Sequence, residues 1–171
     1  EDSHQILRIG QWVLEESCRL LSRMRREWKR DFHIAVNISA LQLMQENFVP
    51  MVAMILEKYG LPSRVLELEI TETILLENYG MINGVLEKLR AMGIEVSMDD
   101  FGTGFSSLAS IGELNIDIVK IDRHFIMKII KGTEKHLITN DIISMAHKLG
   151  LQVIAEGVET GIQREYLMQH G

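Results

Sequence analysis

The sequence has one cysteine, Cys18, in 171 residues. That excludes an internal disulfide framework and any metal centre built from several thiolates, and it fits a reducing compartment. Proline is scarce, with two residues, and no Pro/Gly/Ser-rich linker interrupts the chain. Disordered, collagenous and low-complexity readings are thereby set aside. Positive charge is in deficit: 18 Lys and Arg stand against 24 Asp and Glu, a net charge of -6. A protein that coats a nucleic-acid polymer needs a basic stripe, so no such partner is expected. The longest apolar run, Val49 to Leu56, is far shorter than the ~20 residues that cross a bilayer. No basic, apolar, small-residue signal opens the sequence. The expected location is the cytoplasm, with any membrane tether belonging to a longer parent chain.

Helix-like and strand-like segments alternate along the chain. Apolar residues at helical spacing (Ile6, Ile9, Val13, Cys18, Leu21, Met24, Trp28) predict a first helix over 6–28. Trp12 and Trp28 are expected on its core-facing stripe. Residues 34–39 (IAVNIS) read as a strand. Residues 48–59 read as a helix stopped at Gly60, with Pro62 beyond it. Strands follow at 65–71, 94–98, 117–121 and 151–155, and helices at 79–92, 136–149 and from 163. A short helix or turn is expected over 106–114. Five strands separated by helical crossovers must run parallel. A doubly wound open sheet and part of a (β/α)8 barrel both satisfy this, and both place chemistry at the carboxyl ends of the strands.

Every predicted strand delivers a polar side chain at that end. Asn37 ends the first, Glu69 and Glu72 the second, Asp99 and Asp100 the third, Lys120 and Asp122 the fourth, and Glu156 the fifth. Any one of these could be a turn or cap residue; five strands agreeing is harder to dismiss. Glu67 and Glu69 share a strand face by the period-2 rule, where a crossover-flanked strand ordinarily reads apolar. Four carboxylates (Glu69, Asp99, Asp100, Glu156) gathered around one Lys120 cannot all stay ionised without protons or cations. Oxygen ligands with an Asn carbonyl favour Mg2+ or Mn2+. Several carboxylates, one able to bridge, are compatible with two such ions, the usual clamp for phosphoester hydrolysis.

Asp99-Asp100-Phe101-Gly102-Thr103-Gly104-Phe105-Ser106-Ser107 is the most specific local stretch. It can hold metal ligands while backbone N–H groups face a phosphate. It is neither a Walker A loop nor G-x-G-x-x-G. The six histidines form no metal-ligand spacing and read as surface or packing residues. Cys18 has no adjacent base and reads as inert. Arg23, Arg25, Arg26, Lys29 and Arg30 cluster, but nothing aromatic interleaves as single-strand binding favours; they read as a solvated helix face.

These residues resemble the EAL domain family of bacterial cyclic di-GMP phosphodiesterases. The matching segments are residues 37–42 (NISALQ), 67–72 (ELEITE), 99–107, 120–123 (KIDR) and 155–160 (AEGVET), with the Gln163, Leu167, Gly171 spacing. The resemblance implies an α/β fold, a (β/α)8 TIM-barrel-like domain with one antiparallel strand, present here as an incomplete barrel of about five βα units. It implies cleavage of cyclic di-GMP to linear pGpG with two Mg2+ or Mn2+ ions. Asn37, Glu69, Asp99, Asp100 and Glu156 would be metal ligands, Asp99 bridging. Lys120 would hold the attacking water, with Glu156 and Glu72 completing the catalytic set. Glu72 would brace the 99–107 loop, and Asp122, Gly102 and Gly104 would contact substrate. A homodimer or larger assembly, and sensory or regulatory domains in a parent chain, are expected partners.

The sequence also departs from the family. The Glu-Ala-Leu motif is not in it; in relatives that motif lies on a first strand upstream of the segment matching Glu1. Residues 1–171 are thus expected to be a partial EAL domain that lacks its first and last strands. The isolated chain is expected to hydrolyse little. The competing reading is a degenerate EAL-like module acting through ligand or protein contacts, but none of the inner ligands the chain could carry is lost.

Overall fold

The computed structural model describes residues 3–76, 79–102, 112–130 and 138–171. Gly104, the rest of the loop to Ser107, the start of the expected 106–114 helix and His136 lie outside the described residues. The chain divides into two compact units, residues 1–70 with 74–96, and residues 71–73 with 97–171.

In the first unit, α1 (Ser3–Trp28) leads into β1 (Ile34–Asn37), a short α2 (Ala40–Leu43), α3 (Phe48–Tyr59), β2 (Leu66–Thr71, whose last residue belongs to the second unit) and α4 (Tyr79–Ala91). β1 and β2 are parallel, with Asn37 opposite Glu69. The core is built from Leu14, Cys18, Leu21, Val36, Val52, Leu68, Ile82 and Leu86, all buried. Burial pushes the Cys18 thiol up to about 11, so it stays protonated and unreactive at neutral pH.

α1 corrects one expectation. Its buried stripe is Leu14, Cys18 and Leu21, whereas Trp12 is 64% and Trp28 60% exposed, and Ile6, Ile9 and Val13 are exposed with them. The packed face is set by shape rather than side-chain size. Gly10 lies against the carboxamide of Gln42, where a Cβ would come within 2.3 Å. A glycine at that turn fixes which side of α1 meets α2, and the tryptophans turn away. Trp28 instead meets Phe32 edge-on at 5.6 Å.

The basic cluster has a local explanation. Arg25, Arg26, Lys29 and Arg30 line a groove of about 780 Å³ with Tyr59 and Gly60. Two helix carboxyl ends, those of α1 and α3, meet there. Such ends carry partial negative charge, for which cations are the ordinary complement.

In the second unit, β3 (Glu95–Phe101, entering from the first unit) is followed by β4 (Ile118–Ile121), a short α5 (Arg123–Ile126), α6 (Ile138–Lys148), β5 (Gln152–Ala155) and α7 (Gly161–His170). β3 pairs with β4 and β4 with β5, both parallel. Within each unit, pairing joins strands consecutive in the chain, the pattern of a singly wound barrel rather than a doubly wound sheet. Met98, Val119, Ile121, Ile126 and Ala146 form this unit's core. Among the described residues, no helix is long and apolar enough to cross a membrane.

Candidate active site

The first unit supplies one pair. Asn37 and Glu69 are register partners at the carboxyl ends of β1 and β2. The backbone runs on in register, with Ile38 N–H donating to Glu69 O at 2.8 Å. Parallel strands place partner side chains on the same face, so Asn37 Nδ2 donates to Glu69 Oε2 at 2.9 Å. Glu69 is buried. The amide thereby donates to the carboxylate and leaves its own carbonyl oxygen as a hard donor.

The second unit supplies the charged centre. β3 and β4 stay in register through Met98 opposite Val119, then shift so that Phe101 meets Ile121. Two residues of β3, Asp99 and Asp100, therefore stand where β4 has only Lys120, a β-bulge. Asp100 takes a left-handed conformation with φ 53°, rare for a side-chain-bearing residue. A regular strand would send two consecutive side chains to opposite faces; the bulge re-aims them.

Lys120 Nζ lies 2.5 Å from Glu156 Oε1 and 3.6 Å from Asp99 Oδ1. Its side chain is 11% exposed. Burial, then the negative charges of Asp99, Asp122 and Glu156, raise the carboxyl of Asp100 above its ordinary range, against a smaller lowering by Lys120. So these four acids share one field, and the ammonium does not neutralise it for Asp100. Asp122 caps α5, accepting from His124 N–H at 2.8 Å.

Glu72 is buried and accepts from Gly102 N–H at 3.1 Å. Gly102 has φ 93°, and a Cβ there would lie 2.7 Å from the Phe125 ring. The start of the 99–107 loop is thus pinned from two sides at a position that accepts only glycine.

Asn37 and Glu69 therefore meet within the first unit, and Asp99, Asp100, Lys120, Asp122 and Glu156 within the second, which also holds Glu72 and Gly102. Among the described residues, no three acidic, imidazole or thiol groups converge into a ready-made cation centre. The donor set nonetheless fits a hard divalent ion: it is all oxygen, carboxylate-rich and over-charged. Two residues entered the sequence reading only as parts of motifs. Arg123 pairs with Glu159 at 2.7 Å, and Gln163 makes three hydrogen bonds through its carboxamide. A glutamine three residues after Thr160 signals a capping box, but nothing local reveals its third bond.

The chain as a whole is similar to known proteins. Cyclic di-GMP phosphodiesterase NbdA of Pseudomonas aeruginosa is 41% identical over 170 residues, which cover 99% of this chain and 22% of that protein. A solved P. aeruginosa MucR phosphodiesterase in complex with c-di-GMP superposes with a TM-score of 0.88 at 38% identity, over 100% of this chain and 69% of that one. A manganese and cyclic di-GMP complex of Klebsiella pneumoniae BlrP1 matches with a TM-score of 0.83 at 26% identity, over 100% of this chain and 43% of that one. The chain spans about a fifth to a quarter of the curated relatives it matches. The family model of the EAL domain matches residues 1–171 throughout, and the chain belongs to that family, with its TIM-barrel-like α/β fold.

Proposed function

We propose that this chain provides metal-binding and catalytic residues of a cyclic di-GMP phosphodiesterase that yields pGpG. The observation that carries the reading is the bulge-borne Asp99-Asp100 pair facing Lys120 and Glu156, an over-charged oxygen cluster at the carboxyl ends of parallel strands. Asn37, Glu69, Asp99, Asp100 and Glu156 would hold two Mg2+ or Mn2+ ions. Bound there, such ions would lower the pKa of water toward neutrality and offset negative charge on the phosphoryl oxygens. Lys120, placed between two carboxylates, would orient the attacking water by hydrogen bonding. Glu72 holds the loop through Gly102 N–H, and Asp122, Gly102 and Gly104 would contact the substrate.

The test is hydrolysis of cyclic di-GMP by the native protein containing these residues, with Mg2+ or Mn2+ and an EDTA control. Metal-dependent appearance of pGpG is expected. Tight binding of cyclic di-GMP without turnover under both metals would overturn the enzyme reading in favour of a binding module. Self-association is part of the proposal, supported by the exposed Ile9 and Trp12 on α1; a strictly monomeric species in sedimentation would refute it. So is a cytoplasmic site of action, supported by a nucleotide substrate and a free buried cysteine.

A further inference from the structure

Two capping-box glutamines occur in the chain, and they behave differently. Gln42 closes the box with Ser39 at the start of α2, and its Nε2, though buried, has no hydrogen-bond partner. Gln163 closes the equivalent box with Thr160 at the start of α7. Its Oε1 accepts from Glu159 N–H at 2.8 Å and Thr160 N–H at 2.9 Å. Its Nε2 then reaches across to donate to the buried carbonyl of Ile126 at 3.2 Å.

That third bond is more than a cap requires. A glutamate would cap equally well, and better suit the positive end of a helix. It would also set a carboxylate against the Ile126 carbonyl. Ile126 ends α5, the helix that begins just after Lys120 and Asp122; Glu159 and Thr160 follow closely on Glu156. The same loop touches α5 twice more. Gly157, at φ 70°, packs where a Cβ would lie 2.5 Å from Arg123 Cγ, and Glu159 pairs with Arg123 at 2.7 Å. Of these ties, the Gln163 bond is the buried one. Glu156 stands one residue beyond the four-residue β5; its N–H still donates to Ile121 O at 3.0 Å, but its side chain is 38% exposed, whereas Lys120 is nearly enclosed.

We propose that Gln163 is a positioning residue: its carboxamide ties the β5–α7 loop to α5 and so holds Glu156 on Lys120. The inference rests on the reading of Lys120 and Glu156 as catalytic, and its test does not depend on turnover. The native protein containing these residues is uniformly labelled with 15N, and the Lys120 ammonium resonance is assigned by its disappearance in Lys120→Arg. Hydrogen exchange of that ammonium is then compared in wild type, Gln163→Leu and Gln163→Glu.

Gln163→Glu keeps both cap bonds and severs the tie to Ile126. It is expected to accelerate Lys120 exchange at least about tenfold while the Glu159 and Thr160 amides stay protected. A helix cap with no further role predicts wild-type Lys120 exchange in Gln163→Glu, and that result overturns the proposal. So does a wild-type protein with no protected Lys120 ammonium. Should Gln163→Leu fail to fold, Gln163→Glu decides alone. Failure of cyclic di-GMP hydrolysis in the wild type would defeat the phosphodiesterase reading without touching this measurement.

Discussion

The two sets of strand-end residues are held by different physics. At β1 and β2, one buried carboxylate is aligned by strand register and an amide donor, Asn37 to Glu69. At β3, β4 and β5, several carboxylates share one ammonium, and the strand itself is distorted to present them. The first arrangement is a hydrogen-bonded fixture that regular parallel pairing supplies without backbone strain. The second is electrostatically loaded, and its backbone is strained at Asp100. Sites tend to store strain where they work, and on the proposed reading the loaded region is the one that would hold the attacking water.

Removing the shared cation is the strongest way to break the comparison. Lys120→Ala should lower metal-dependent turnover by about 10²–10⁴-fold, the usual range for a group that positions a proton or water, with the far-UV circular dichroism unchanged. A rate within about twofold of wild type would move the catalytic role elsewhere. The counterpart on the other side is Asn37→Ala. It takes a donor from a buried carboxylate, so it should cost about 1–3 kcal/mol in denaturant unfolding. An unchanged midpoint would mean that Glu69 is not held in the way its register suggests.

Much of this was legible in the sequence, for reasons that differ by residue. The five strands and the polar residue at each strand end follow from period-2 patterning and from the carboxyl-end rule for parallel sheets. The bulge was foreshadowed only by two consecutive acids, which a regular strand cannot aim at one site. The side of α1 that packs was misread because apolar residues run around the helix, and a one-residue change of phase rotates the stripe by about 100°. Gly10 against Gln42 decides it, a contact between residues far apart in the chain. The Gln163 bond to Ile126 spans 37 positions and is illegible for the same reason. Helices α2 and α5, four residues each, are too short for periodicity to register.

A smaller effect tests the loop brace beside the loaded centre. Gly102→Ala would place a methyl 2.7 Å from the Phe125 ring at φ 93°. The expected cost is about 1–3 kcal/mol of local strain, read as a lower melting temperature. Glu72→Gln, which keeps an acceptor for Gly102 N–H, should cost less. If the two variants melt alike, the brace depends on the Glu72 charge rather than on geometry.

The smallest effect is also the one that separates the two regions by sign. The Asp100 side chain is largely exposed, and its carboxyl is raised by partial desolvation and by its acidic neighbours. The folded protein therefore holds the Asp100 proton more tightly than the unfolded chain does. Between the ordinary carboxyl value of 3.8 and the raised one, stability falls as pH rises. Asp100→Asn removes that penalty. In metal-free buffer the variant should melt slightly higher than wild type at neutral pH. The gain should vanish below pH 3.8, where Asp100 is protonated in both states. Substituting the buried partner on the other side, by Glu69→Gln, removes a charge that accepts from Asn37 and should not stabilise. Should both variants raise the melting temperature equally, charge crowding would extend to β2, and the contrast between a fixed pair and a loaded cluster would fail.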